Sequence, residues 1–136
     1  MFTKRILKEK RVRKIAGGFS FIPHRFLADG FLTSLAQQEI LLYLFLVLAG
    51  DRYGLSYYSY DAICTLLQLN LGEYIAARDG LIDKDLIAFD GHIFQVLDLP
   101  SHPVKRAKSA DDEDPAAIAQ IIRQSLEYAD QRRSLP

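Results

Sequence analysis

Residues 59–97 read SYDAICTLLQLNLGEYIAARDGLIDKDLIAFDGHIFQVL, and the way this stretch divides decides the fold. Ser59 is a good N-cap and Asp61 suits the positive end of a helix dipole, so a helix starts here. Ala62, Ile63, Leu66, Leu67 and Leu69 recur at helical spacing and predict one apolar face. Asn70-Leu71-Gly72-Glu73 then restarts the chain as a variant capping box: the Asn amide accepts from the third backbone N–H and the Glu reaches back. Leu71, Tyr74, Ile75, Ala77, Leu81 and Ile82 are the apolar positions of this second helix, which is expected to end near Lys84-Asp85. Beyond it, Asp90-Gly91 is flanked by alternating apolar residues. That predicts a β-hairpin with both turn residues at positive φ. Ile87 and Phe89 share one strand face, and Ile93, Val96 and Leu97 answer them, with imperfect alternation around Phe94.

Helix, tight turn, helix, hairpin is the order of a winged helix-turn-helix. The expected class is therefore mainly α with a small antiparallel β-sheet. Working back from Ser59, Leu55-Ser56-Tyr57-Tyr58 reads as a short β segment that adds a third strand. Ser34-x-x-Gln37 reads as a capping box that starts a helix running to Ala49, ended by Gly50 and Asp51. Its nearly continuous apolar run predicts a helix enclosed on most sides. The run is about half the length a bilayer span needs. Further back, the stretch from Phe19 to Leu32 is dense in aromatics. Pro23 opens a short helical turn there and Gly30 closes it. Phe19, Phe21, Phe26, Leu27 and Phe31 are expected to pack on the body. Gly17-Gly18 reads as a hinge.

Beyond the hairpin, Pro100 and Pro103 bracket a break, and a polar stretch of mixed charge leads to Asp114-Pro115, an N-cap with proline at the first helical position. Ile118, Ile121, Ile122 and Leu126 then form a stripe at helical spacing. The chain thus divides into a basic arm (1–18), a winged-helix domain (19–99), a linker (100–115) and a C-terminal amphipathic helix (116–136). That helix is expected to dock on the body or on a second copy, making a homodimer.

The chain has 136 residues, 49% of them apolar, which suits one small domain with tails. The lone Cys64 excludes an internal disulfide and is expected to be a buried, inert thiol in a reducing, cytoplasmic compartment. The first fourteen residues lack the apolar core of a signal peptide. A net charge of zero hides an asymmetry. Residues 1–14 carry seven cations against one acid, a net of +6. Residues 15–100 carry four cations against ten acids, a net of −6. A basic arm on an acidic body points to a polyanionic partner for the arm.

Nothing in the pattern supports an enzyme, a metal site or a cofactor. His24, His92 and His102 are single and widely spaced, without metal-ligand spacing. No glycine-rich phosphate loop follows a strand, and no nucleophile–base set has a geometric rationale. The acidic run at residues 111–114 reads as a solvated linker. Tyr53, Tyr57, Tyr58, Tyr60 and Tyr74 have faces on which bases stack, or else pack on the body with one edge wet.

The span from Phe19 to Leu97 resembles the winged-helix domain of plasmid and phage replication initiators and of primosomal helicase-loading proteins. The residues that carry the likeness are Phe21-Ile22-Pro23, Phe26-Leu27, Leu32-Thr33-Ser34-Leu35, Tyr58-Ser59-Tyr60-Asp61-Ala62-Ile63, and Leu81-Ile82-Asp83-Lys84-Asp85-Leu86-Ile87. The last matches a family pattern with glycine where this chain has Asp85. The resemblance implies a DNA-binding role in replication, mobile elements or regulation, and puts Asn70, Glu73, Ala76 and Arg78 nearest any groove. This chain departs from the family at the turn. The family has Ser followed by Arg or Lys and Thr; here Leu71, Gly72 and Glu73 follow Asn70. At 100° per residue, Leu71, Tyr74, Ile75, Ala77, Arg78, Leu81 and Ile82 share one arc. Gly72, Glu73, Ala76, Asp79, Gly80 and Asp83 share the other, which holds three acids and no cation. Gly80 inside a helix predicts close packing or an early end.

Two functions follow. In the first, the chain binds DNA without doing chemistry, and Lys4, Arg5, Lys8, Lys10, Arg11, Arg13 and Lys14 track the phosphates. In the second, it is a protein-docking or dimerising module whose acidic helix face takes a basic partner or its own arm. No membrane association is expected.

Overall fold

The computed structural model describes residues 3–104 and Arg123. The linker and C-terminal helix expected over 105–136 otherwise lie outside the described residues. Residues 3–22 are exposed, with a single 3-10 turn at Glu9–Arg11. The body follows as α1 (Arg25–Ala28), α2 (Gln37–Ala49), β1 (Leu55–Ser56), α3 (Tyr60–Leu67), α4 (Leu71–Asp83), β2 (Ile87–Phe89) and β3 (Phe94–Val96). The protein is thus helix-rich with one small sheet. The strand order is β1-β3-β2, antiparallel throughout.

Local chemistry explains most boundaries. Ser59 Oγ accepts from the Ala62 N–H at 3.3 Å and starts α3. Gln68 ends it in the left-handed region, at φ 56°. The Asn70 capping box forms as the spacing predicts. The Glu73 N–H donates to Asn70 Oδ1 at 2.7 Å, and the Asn70 N–H donates to Glu73 Oε1 at 3.0 Å.

The first long helix starts later than expected. Ser34 does not cap it; its hydroxyl donates to the Phe31 carbonyl at 2.6 Å, inside a 3-10 turn at Leu32–Ser34. Ala36 stands at the N-cap with no side chain to accept. Only half a box exists: Glu39 Oε1 accepts the Ala36 N–H at 2.7 Å. Nor is α2 enclosed on most sides. Glu39, Leu42, Tyr43 and Leu46 face inward, while Leu41, Leu44 and Leu48 form an exposed stripe at i, i+3, i+7. A continuous apolar run carries no phase, so it could not report which face was open.

The core is built from Leu42 and Leu46 of α2, Ile63 of α3, Tyr74, Ala77 and Leu81 of α4, and Leu86, Ile87 and Phe94 around the sheet. Phe26 stacks on Tyr43 at 4.9 Å between ring centroids and on Phe31 at 6.3 Å, fixing α1 against α2. Phe19 and Phe21 do not join them and stay exposed. On α3, Leu66 is exposed and Cys64 is half-buried, against expectation, because only Ile63 points squarely at the core. The hairpin also differs from the expected two-residue turn. Gly91 alone has positive φ; Asp90 does not. Asp90 instead accepts the backbone N–H groups of His92 and Ile93 at 2.8 and 2.7 Å, which closes a longer loop. Phe89 therefore pairs with Phe94, their rings 4.2 Å apart, and Ile93 lies exposed in the loop.

Candidate nucleic-acid interface

α4 packs against α2, α3 and β2, and this sets which of its faces meets solvent. Tyr74, Ala77, Gly80, Leu81 and Lys84 are buried. This inward face is rotated from the one the helical wheel indicated. Gly80, assigned to the outer arc, is buried because a Cβ there would fall on the Glu39 carboxylate. Leu71, Ile75 and Ile82, assigned to the inner arc, are exposed. They line up at i, i+4 and i+11, and Gly72, Ala76, Asp79 and Asp83 complete the exposed surface. The outer face of α4 is therefore part apolar, part acidic, and presents no free cation.

The four residues expected nearest a groove are placed in three different ways. Asn70 and Glu73 are committed to each other's backbone in the capping box. Arg78 lies 5.6 Å from the Tyr74 ring centroid and 5.5 Å from that of Phe89, with its Nε 3.1 Å from Asp79 Oδ1. It bridges α4 to the sheet. Burial raises the Tyr74 phenol pKa, and Arg78 beside it pulls the other way. Ala76 is exposed but carries no hydrogen-bonding group. The Asp90-Gly91-His92 loop adds no fixed positive charge.

The other cations of the body are also engaged. Arg25 bonds Asp29 at 3.2 Å and the carbonyls of Leu99, Pro100 and Ser101, holding the exit from the sheet against α1. Lys84 is buried against Glu39. Arg52 lies 4.9 Å from the Tyr53 ring centroid. Arg123 donates to the Ala28 carbonyl at 2.9 Å and approaches Asp29 at 3.6 Å, at the end of α1.

The arm is the opposite case. Lys4, Arg5, Lys8, Lys10, Arg11, Arg13 and Lys14 are all exposed, and among the described residues none pairs with a carboxylate. The arm is not seated on the acidic face of α4. No group of histidine, cysteine or carboxylate side chains among the described residues could hold a metal ion. No described helix is long and apolar enough to cross a membrane. Compared with known proteins, the chain matches no family model, no curated protein and no solved structure.

Proposed function

We propose that this chain is a non-enzymatic, nucleic-acid-associated protein of winged-helix type. The basic arm holds phosphates, and α4 does not read bases. The observation that carries this reading is the contrast in cation use. Among the described residues, the seven cations within residues 4–14 are exposed and pair with no carboxylate, while Arg25, Arg78 and Lys84 are held by carboxylates or carbonyls and Arg52 lies over the Tyr53 ring. Phosphate neutralisation supplies most non-specific affinity, and a row of exposed cations does this without reading bases. The order α3, α4, hairpin with β1 as third strand supports the winged-helix assignment. The likeness to replication initiators points to DNA as the partner and to replication or mobile-element biology as the setting.

The test is a salt titration of duplex affinity for the full chain and for one lacking residues 1–16. With seven phosphate contacts, log K should fall against log salt with a slope near about −6. Removing the arm should abolish most of that slope. An unchanged slope would overturn the reading.

A second reading rests on the exposed stripe Leu71, Ile75 and Ile82 beside Asp79 and Asp83. An apolar seam rimmed by acids suits a protein partner with a basic rim, or a second copy. Changing Ile75 and Ile82 to serine should then lower the mass of an assembly or release a partner, with duplex affinity untouched.

A further inference from the structure

An open groove of about 530 Å³ lies between the segment around Phe19–Pro23 and the turn at Gly50–Gly54. Tyr43, Val96 and Leu99 contribute to its lining, and Phe19, Phe21 and Tyr53 border it while remaining 68%, 78% and 64% exposed. Three large rings open to solvent around one concavity, unlike Phe26, Phe31, Tyr43, Phe89 and Phe94, which stack in or on the core; Tyr57, Tyr58 and Tyr60 are also exposed but do not line the groove. Such a cluster marks a recognition surface. Its volume falls within the range of pockets that take small organic ligands.

The lining itself carries Asp51 and Asp98 against Arg52, a net of −1, so the positive charge that would hold phosphates comes from the neighbouring arm. The two carboxylates of the lining are turned onto the backbone. Asp51 Oδ1 accepts from the Tyr53 and Leu55 N–H groups at 2.8 and 3.0 Å, and Asp98 Oδ1 from the Leu99 N–H at 3.2 Å. The guanidinium of Arg52 lies over the Tyr53 ring and sets a positive charge at the rim. Phe19 follows directly on Gly17-Gly18, where Gly17 has φ 71° and an added Cβ at either glycine would meet nothing within 4 Å. That unencumbered pivot joins the groove to the seven exposed cations. Stacking rings beside a row of exposed positive charge is the combination that holds unpaired strands: each base offers a π face and each phosphate a charge.

We propose that this groove binds single-stranded nucleic acid, with a base stacked against Phe19, Phe21 or Tyr53 while the arm follows the adjoining phosphates. The inference rests on the arm being the phosphate-binding element. It adds a preference for unpaired strands and names the rings responsible.

The test measures the affinity of the full chain for a labelled oligothymidylate, an abasic strand of the same length and charge, and a duplex, all at one salt concentration. Phe19, Phe21 and Tyr53 are changed together to serine. In a second variant they become leucine, which keeps the apolar bulk and removes the π faces. Both variants should lose roughly ten- to a hundredfold in affinity for oligothymidylate. Binding of the abasic strand and the duplex, and the salt slope, should stay unchanged. Undiminished oligothymidylate binding by the leucine variant would overturn the proposal. So would equal wild-type affinity for the abasic strand, or equal losses on all three ligands, as when a second copy or another part of the chain fills the groove. Deleting residues 1–16 reads the arm separately. If that deletion changes nothing, the arm assignment fails, whatever the groove variants do.

Discussion

The ammonium of Lys84, at the C-terminal end of α4, lies 2.6 Å from the carboxylate of Glu39 in the first turn of α2, and both side chains are buried. Lys84 also donates to the Ser34 carbonyl at 2.7 Å, and the same Glu39 oxygen accepts the Ala36 N–H. One ion pair thus closes the start of α2 and fixes its angle to α4. Removing a single partner strands a buried charge. Lys84→Met should cost about 3–5 kcal/mol, whereas Lys84→Met with Glu39→Leu should recover much of that. Urea unfolding of both singles and the double gives the coupling; additive losses would show that the pair does not act as a unit.

Gly80 faces that carboxylate. Alanine there would ordinarily stabilise a helix by about 1 kcal/mol. Here its Cβ would come within 2.9 Å of Glu39 Cδ, and the carboxylate cannot swing away without leaving Lys84. Gly80→Ala should therefore destabilise by about 1–3 kcal/mol, the usual cost of overpacking. A gain in stability would show that the pair relaxes freely.

Asp85 stops α4 at φ 61°, where glycine costs nothing and a side chain costs about 1 kcal/mol. Its carboxylate also faces the negative end of the helix dipole. Asp85→Gly is expected to raise stability by roughly 0.5–1 kcal/mol in the same unfolding assay.

Much of this arrangement was written locally. Ser59, the Asn70–Glu73 box and the third strand at Leu55 were legible because caps and turn residues act within four positions of themselves. At Gly80 a glycine inside a helix left close packing and an early end both open, and the helix runs on to Asp83. What Gly80 approaches was not legible, since Glu39 is forty-one residues away and a buried pair leaves no local mark. The phase of α4 was misread for a related reason: Leu71, Ile75 and Ile82 are apolar but exposed, so hydrophobicity alone rotated the wheel. The arm stood out by charge. The aromatic groove did not, because Phe19 and Phe21 carry the same sequence signal as the core residues Phe26 and Phe31.

The loop between β2 and β3 should respond to acid. Hydrogen bonds from the Ile93 and His92 N–H groups hold the Asp90 carboxyl below its ordinary value of 3.8. A depressed carboxyl adds order that is present above the unfolded value and is lost as pH falls through the lower folded one. The His92 and Ile93 amide resonances should therefore keep their positions at neutral pH and shift only below about 3.8. Asp90→Asn keeps an accepting oxygen and should remove that acid transition. A transition near neutrality would show that the Asp90 carboxylate does not govern the loop.

Asp83 offers the sharpest test of where duplex DNA would sit under the proposed function. It lies exposed on the outer face of α4, with no cation paired to it among the described residues. If α4 entered a groove, Asp83→Lys would exchange a repelled carboxylate for a phosphate contact, raising duplex affinity and steepening the salt slope by about 1. With contact confined to the arm, the new charge adds no phosphate contact and should alter affinity by less than about twofold. The comparison is made in the full chain and again without residues 1–16. A gain that appears only when the arm is present would mean that the arm carries α4 to the DNA, and that the two elements share one interface.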